Sequence, residues 1–237
     1  MGVNAQTTVP KFTAGQVLTA AQQTGINTGI PVFATTTTRD AAFGGSNKVL
    51  AEGQFAYIEA TNTTQYYDGA AWQTVGGGLT LISATTIGSA VASVTVSSAF
   101  SSSYDNYKII VSGGAGSTGM NIGLTLGASA TGYYSAGALW QYNPIAQTNV
   151  QDNNATSFAR AGTATASGIA ADITLLQPFA AARTNYQSWF YSLDTGGYGG
   201  FSAGFHNVAT SYTAFTLTCS TGTLTGGTIR VYGYQNS

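Results

Sequence analysis

Beyond the glycine run Gly76-Gly77-Gly78, apolar residues recur with a period of two and nowhere sustain the 3.6-residue period of a helix. That pattern confines the C-terminal two thirds of the chain to β-strands, because only in a strand do residues i, i+2 and i+4 share a face. Segments 79–87 and 91–96 come first, then Tyr107, Ile109 and Val111, then Ile122, Leu124 and Leu126. Trp140 alternates with Tyr142, which reads as core for Trp140, and Ile173 alternates with Leu175. Phe201, Ala203 and Phe205 follow, then Phe215, Leu217 and Cys219, and finally Ile229, Val231 and Gly233, with Gly and Ser/Thr clusters between the runs. About ten strands in roughly 160 residues predict an all-β body over 79–237, a two-sheet β-sandwich of jelly-roll type.

Segment 187–193 differs from the rest because it is apolar on both faces, with Trp189, Tyr191 and Leu193 on one and Tyr186 and Phe190 on the other. Leaving one large apolar side chain in water forgoes roughly 1.5–3 kcal/mol, a sizeable share of the roughly 5–15 kcal/mol that holds a domain folded. The face bearing Tyr186 and Phe190 is therefore expected to be covered, by a long loop or by a neighbouring protomer of a closed homo-oligomer.

Ahead of the glycine run the chain reads as an arm, 1–32, and a small module, 33–76. The arm spreads Val9, Phe12, Val17, Leu18, Ile26, Ile30 and Val32 among small polar residues. That is too little apolar surface for a core, so the arm is expected to be gripped by other subunits, its own copies or a larger platform. Thr19 is a candidate N-cap for a short helix ending at Gly25, and the Thr run 35–38 is expected to cap a second short helix over 39–43. In the module, Phe55 and Tyr57 alternate with Gln54, Ala56 and Ile58, and Thr61-Asn62-Thr63 reads as a turn. Gln65-Tyr66-Tyr67 and the segment 72–75 flank Asp68-Gly69, where glycine accepts a positive φ and aspartate can bond the backbone two residues on. A three-stranded meander stapled by Tyr66, Tyr67 and Trp72 is predicted.

Three blocks of this module carry a resemblance. Thr38-Arg39-Asp40-Ala41-Ala42-Phe43, Gly53-Gln54-Phe55-Ala56-Tyr57 and Tyr67-Asp68-Gly69-Ala70-Ala71-Trp72 resemble a short module of tailed-bacteriophage virion proteins, fibres and minor tail proteins above all. The run from Phe12 through Ala21 is similar to the start that often accompanies it, while Gly44-Gly45-Ser46-Asn47 departs from the proline-containing turn more usual there. The resemblance covers roughly the first third of the chain and none of the body. It implies a virion component assembled in the bacterial cytoplasm: a homotrimeric tail fibre or receptor-binding protein, fixed to other virion proteins through Phe12, Val17, Leu18 and Ile26 of the arm. The body would then be displayed outward, with a host surface glycan as its candidate ligand. A capsid decoration or head fibre protein without a receptor is the alternative, and a glycan-hydrolysing tailspike a further one.

The residues themselves exclude several chemistries. Only 6% are charged, the net charge is −1 and the 7 basic residues are scattered, so no basic patch invites nucleic acid. No apolar run approaches the roughly 18 residues of a membrane span, and Met1-Gly2-Val3-Asn4 lacks the basic and apolar regions of a signal peptide. A surface polar through Ser, Thr, Asn, Gln and Gly has little colloidal repulsion and should associate readily. The single Cys219 has no disulfide partner and alternates with Phe215 and Leu217, as a packed thiol would. The sequence 114–119 is a literal GxGxxG, yet a strand pattern rather than a helix follows it and no acid appears between Asp105 and Asp152, so it reads as a glycine loop. The lone His206 is expected to be exposed or hydrogen-bonded within the fold, and Asp152-Asn153-Asn154 to form a polar turn lacking the later ligands of a calcium loop. No metal or cofactor site is predicted, and no enzyme. Asp152, Asp172 and Asp194 are the carboxylates a glycosidase would need, without the coil repeat of a β-helix. Tyr133, Tyr134 and Tyr198, beside Gly or Ser, are the candidate glycan contacts, where a ring can stack on sugar C–H bonds.

Overall fold

A computed structural model of the chain describes residues 7–20, 22, 29–76 and 78–235. It comprises two compact units, Met1–Gly77 and Gly78–Ser237.

The first unit contains β1 (Val32–Phe33), α1 (Thr36–Ala41), β2 (Phe55–Ile58), β3 (Thr63–Tyr67) and β4 (Trp72–Thr74). The sheet order is β1-β2-β3-β4, so the predicted meander β2-β3-β4 gains a fourth strand, β1, parallel to β2 through Val32↔Tyr57. The helix starts earlier than predicted. Thr35 is its N-cap, and a capping box with Thr38 satisfies both backbone N–H groups there, which draws residues 36–38 into the first turn. Farther upstream, Thr19 Oγ1 accepts from Gln22 N at 3.3 Å and Gln22 Oε1 accepts from Thr19 N at 2.9 Å, the same reciprocal arrangement. Asp68 accepts from Ala70 N at 2.8 Å and Ala71 N at 2.7 Å, and these backbone bonds hold its carboxyl below the usual range. Gly69 takes φ +98° in the same turn.

On β2 the buried set is Ala56 and Ile58, while Phe55 is 42% exposed. With Val9, Phe33 and Ala42 they form the unit's core, and Phe43 and Trp72 pack on it. Val9 changes the expectation for the arm. Its N–H donates to Ala42 O at 3.1 Å and its carbonyl accepts from Lys48 N at 2.9 Å, so this point of the arm is held by its own chain. Phe12 and Leu18 are half-buried, Val17 is 90% exposed, and Ile26 lies outside the described residues.

The second unit has fourteen strands among its described residues, where about ten were predicted. They are β5 (Leu79–Thr86), β6 (Ser93–Val96), β7 (Asn106–Gly113), β8 (Ala115–Gly116), β9 (Met120–Leu126), β10 (Tyr133–Gln141), β11 (Gln147–Ala155), β12 (Phe158–Thr165), β13 (Gly168–Leu176), β14 (Thr184–Tyr191), β15 (Tyr198–His206), β16 (Phe215–Cys219), β17 (Leu224–Thr225) and β18 (Thr228–Tyr234). The unpredicted ones are β8 and β17, which pair with each other, and β11 and β12. Asp152-Asn153-Asn154 thus lies in a strand, β11, rather than a turn. The GxGxxG sequence spans β8 and leads into strand β9.

Antiparallel pairing runs β5-β18-β7-β13-β14-β15-β10-β11 along one stretch and β12-β9-β16-β6 along another, joined where β12 pairs β13 through Thr163↔Ala170. The two stretches face each other across one core. Tyr107, Ile109, Val111, Ile173, Leu175, Ile229 and Val231 point in from the first; Ile122, Leu124, Leu126, Phe158, Phe215 and Leu217 point in from the second. Phe158 stacks on Tyr186 at 3.9 Å between ring centroids and meets Tyr133 edge-on at 4.9 Å. Cys219 packs against this core, and burial pushes its thiol up.

This packing decides the phase of β14. Tyr186 and Phe190 are each 1% exposed and belong to the interior, so they need no outside cover. The opposite set is the uncovered one: Trp189, Tyr191 and Leu193 are 61%, 49% and 46% exposed.

Candidate binding face

The outward positions of β14, β15, β10 and β11 line up in rows set by the strand register. Tyr191, Gly199, Trp140 and Gln147 form one row; Trp189, Phe201, Ala138 and Asn149 the next; Gln187, Ala203, Ala136 and Gln151 the third. A fourth begins Asn185, Phe205, Tyr134. Trp140 is 43% exposed and not core, because it stands outward on β10 and stacks on Phe201 at 6.1 Å, while Trp189 leans on the same ring at 5.6 Å. Tyr142, just past β10, reaches over Gly199 and its OH donates to Ser192 O at 3.3 Å. Trp140, Tyr142, Trp189 and Tyr191 line an open, mostly apolar hollow of about 380 Å³, which Gly199 and Gly200 also border.

At the other end of the track, Tyr134 and Phe205 stack at 5.3 Å with planes 13° apart, and the Arg183 guanidinium sits 5.6 Å from the Phe205 ring. Six residues of strand separate Trp140 from Tyr134, roughly 20 Å at about 3.3 Å per residue. None of the outward positions in these rows is charged. The nearest charges on the neighbouring strands, Lys108 of β7 and Asp172 of β13, pair with each other.

The other side of the same strands borders a polar space. Asn121 Oδ1 accepts from Arg160 Nη1 at 3.1 Å and from the Tyr198 OH at 2.9 Å. This bridge separates a cleft of about 490 Å³, which reaches Asp194 and Thr163, from one of about 420 Å³, which reaches Asp152 and Ser135. Ser135 Oγ donates to Asp152 Oδ2 at 2.6 Å, and Ser167 Oγ donates to Asp194 Oδ1 at 2.6 Å. Burial pushes the Tyr198 hydroxyl up.

The three candidate tyrosines therefore separate. Tyr133 is fully buried, not a loop residue: its OH donates to Ser129 O and accepts from Leu126 N, and its ring faces Phe158 and His206. No ligand can reach it. Tyr134 lies on the outward face at the far end of the track, and Tyr198 belongs to the polar clefts on the other side of the sheet. The residues the sequence reading missed are Trp189, Tyr191 and Phe201, each read there only as part of an apolar strand. His206 is likewise interior, its Nε2 3.0 Å from Thr131 O and 2.9 Å from Ser129 Oγ. Burial lowers its pKa. Among the described residues no three His, Cys, Asp or Glu side chains gather as a metal site would require, and no helix is long and apolar enough to cross a membrane.

No protein-family model matches this chain, and no curated protein or solved structure matches it either.

Proposed function

We propose that the chain is a structural component of a tailed-phage virion, of the tail fibre or minor tail type, anchored through its first unit and presenting its second to the host surface. The observation that carries this reading is the convergence of the three resembling blocks. Phe43 lies 5.8 Å from Trp72, Tyr67 lies 5.7 Å from Trp72, Arg39 sits 4.5 Å over the same indole, and Gly53 N donates to Tyr67 O at 2.8 Å. Blocks that build one cluster behave as a module rather than as chance matches. The exposed Val17 and half-buried Phe12 and Leu18 of the arm are the contacts for other virion proteins.

The body is jelly-roll-like, since the chain passes repeatedly between the two layers, and it assembles as a homotrimer, which fits its low charge. Its role in this reading is recognition rather than hydrolysis, which the separation of the carboxylates supports: Asp152 borders one cleft beside Ser135, Asp194 borders the other beside Ser167, and Asp172 pairs with Lys108. Immunogold labelling of virions tests the assignment, with label expected on the tail. Label confined to heads would make the protein a capsid decoration or head fibre component, and unlabelled virions would end the virion reading. Purified full-length protein should also compete with phage adsorption; undiminished adsorption at saturating dose would remove the receptor role.

A further inference from the structure

We propose that the outward face of β10, β11, β14 and β15 is a binding track for an uncharged polysaccharide. If the body meets a cell surface as proposed above, this face is where it does so, and neutral sugar is what it meets. Trp140, Trp189 and Tyr191 offer rings to the apolar C–H side of a pyranose, Tyr142 closes the end of the hollow they line, and Phe201 backs Trp140 and Trp189 beside it. Small floor residues, Gly199, Ala138, Ala136 and Ala203, let a flat ring lie against the sheet. The flanks are amides: Gln147, Asn149 and Gln151 from β11, Asn185 and Gln187 from β14, all exposed.

The amides choose between occupants. A contiguous exposed aromatic face on a soluble body marks an interaction site, and a second copy of the chain could in principle fill it. Pressed against protein, however, each amide would bring two donors and an acceptor that need partners, at a cost of about 1–3 kcal/mol for every one left unmet. A sugar hydroxyl both donates and accepts, so a polyhydroxyl chain satisfies all of them while its C–H faces take the rings. Charge decides the rest. The hollow itself carries no acid or base, the Lys108–Asp172 charges pair with each other, and the cation Arg183 sits over Phe205 at the far end of the track, so nothing at the hollow rewards a carboxylated or sulfated sugar.

The test uses the full-length protein on a printed array of neutral glucans, galactans and mannans beside uronic- and sialic-acid glycans. Binding is expected among the neutral members, with a change in tryptophan emission, since two of the chain's three tryptophans, Trp140 and Trp189, line the hollow. Trp189→Ala and Trp140→Ala should each weaken binding about tenfold, the factor given by roughly 60 Å² of ring face at ~25 cal/mol/Å². Both side chains are exposed enough that the melting temperature should hold. Binding to acidic members alone, to none of the array, or binding by both variants undiminished from wild type overturns the proposal. So does a sedimentation result in which Trp189→Glu converts an oligomer to monomer, which would make the face a contact between copies. Virions labelled on their tails with a blank array would remove this proposal and leave the virion reading standing; unlabelled virions with a bound neutral glycan would do the reverse.

Discussion

Replacing Gly137 by alanine should unseat the binding track without touching any of its rings. Gly137 lies in β10 opposite Ser202 of β15, and a Cβ built on it falls 1.9 Å from Phe201 O and 2.9 Å from Ser202 Cα. Unstrained heavy-atom contacts sit near 3.5–4.0 Å, so the two strands must part or twist by more than an ångström. The same close approach recurs along the seam. A Cβ on Gly204 would fall 1.9 Å from Tyr134 O, and one on Gly200 would fall 2.5 Å from Ala138 O. Overpacking of this kind costs about 1–3 kcal/mol, and one ladder hydrogen bond stretched until its buried groups are unpaired adds about 1–3. Against this, alanine restricts the unfolded chain and returns about 0.4–1 kcal/mol. A net loss of about 3 kcal/mol lowers the melting temperature of a unit this size by roughly 6–12 °C, at about 2–4 °C per kcal/mol. Gly196→Ala is the control. Nothing lies within 4 Å of its Cβ position and its φ is outside the left-handed region, so it should melt at or slightly above wild type. Scanning calorimetry of the two variants reads the difference directly. If Gly137→Ala melts with wild type, or if both variants fall equally, close approach is not what the seam glycines provide.

Three further outcomes follow from the packing. Phe158→Ala removes a fully buried ring stacked on Tyr186 and met edge-on by Tyr133 and should cost about 3–5 kcal/mol in a urea titration; a loss under about 1 kcal/mol would mean the layers do not meet there. Burial lowers the pKa of His206 in the fold, so the unfolded chain binds the proton first and stability should fall as pH drops below about 6.5, by at most ~1.4 kcal/mol per pH unit. His206→Gln should lack that acid-side slope, and an unchanged slope assigns it to other groups. Val9→Asp places an unpaired charge in the first unit's core, where Val9 is 7% exposed, and should free the arm for tryptic cleavage at Lys11; an unaltered cleavage rate would show that Val9 does not hold it.

Strands whose two faces differ in polarity were legible in the sequence. Tyr107, Ile109 and Val111 on one strand and Ile122, Leu124 and Leu126 on another all point inward as their alternation requires, and Asp68-Gly69 makes the tight turn its chemistry suits. Two kinds of strand were not legible. In β11 the inner positions Thr148 and Asp152 border a polar cleft, so no apolar alternation exists to be seen. In β12 the run from Ala161 to Thr165 is small on both faces and buried throughout, so it shows no apolar alternation. For β14 the period was plain but the phase was not, as both faces are aromatic. The tie is broken by Phe158, nearly thirty residues away in sequence and stacked on Tyr186. The binding track was illegible for a related reason: β10 pairs with β15, not with a sequence neighbour on that side, so Trp140 and Phe201 meet only through long-range topology.

That same strand explains why the track can hold its shape. Two inward side chains of β14 hydrogen-bond across the core: the Tyr186 OH donates to Arg160 O at 2.8 Å and Ser188 Oγ to Ala161 O at 2.8 Å. Thr163 Oγ1 donates to Tyr191 O at 2.6 Å, tying the end of the strand to β12 as well. Trp189 is therefore carried by a backbone fastened to β12 on both sides of its ring, and Tyr191 by one fastened at its own carbonyl. A ring already fixed in place loses little freedom when a ligand stacks on it, and side chains that must be immobilised on binding cost about 0.5–1.5 kcal/mol each. The interior bonds thus act on affinity at a distance. Removing the Tyr186 hydroxyl, which touches nothing on the outer face, should loosen Trp189 and weaken glycan binding, whereas a track built on loops would have no interior bond to lose.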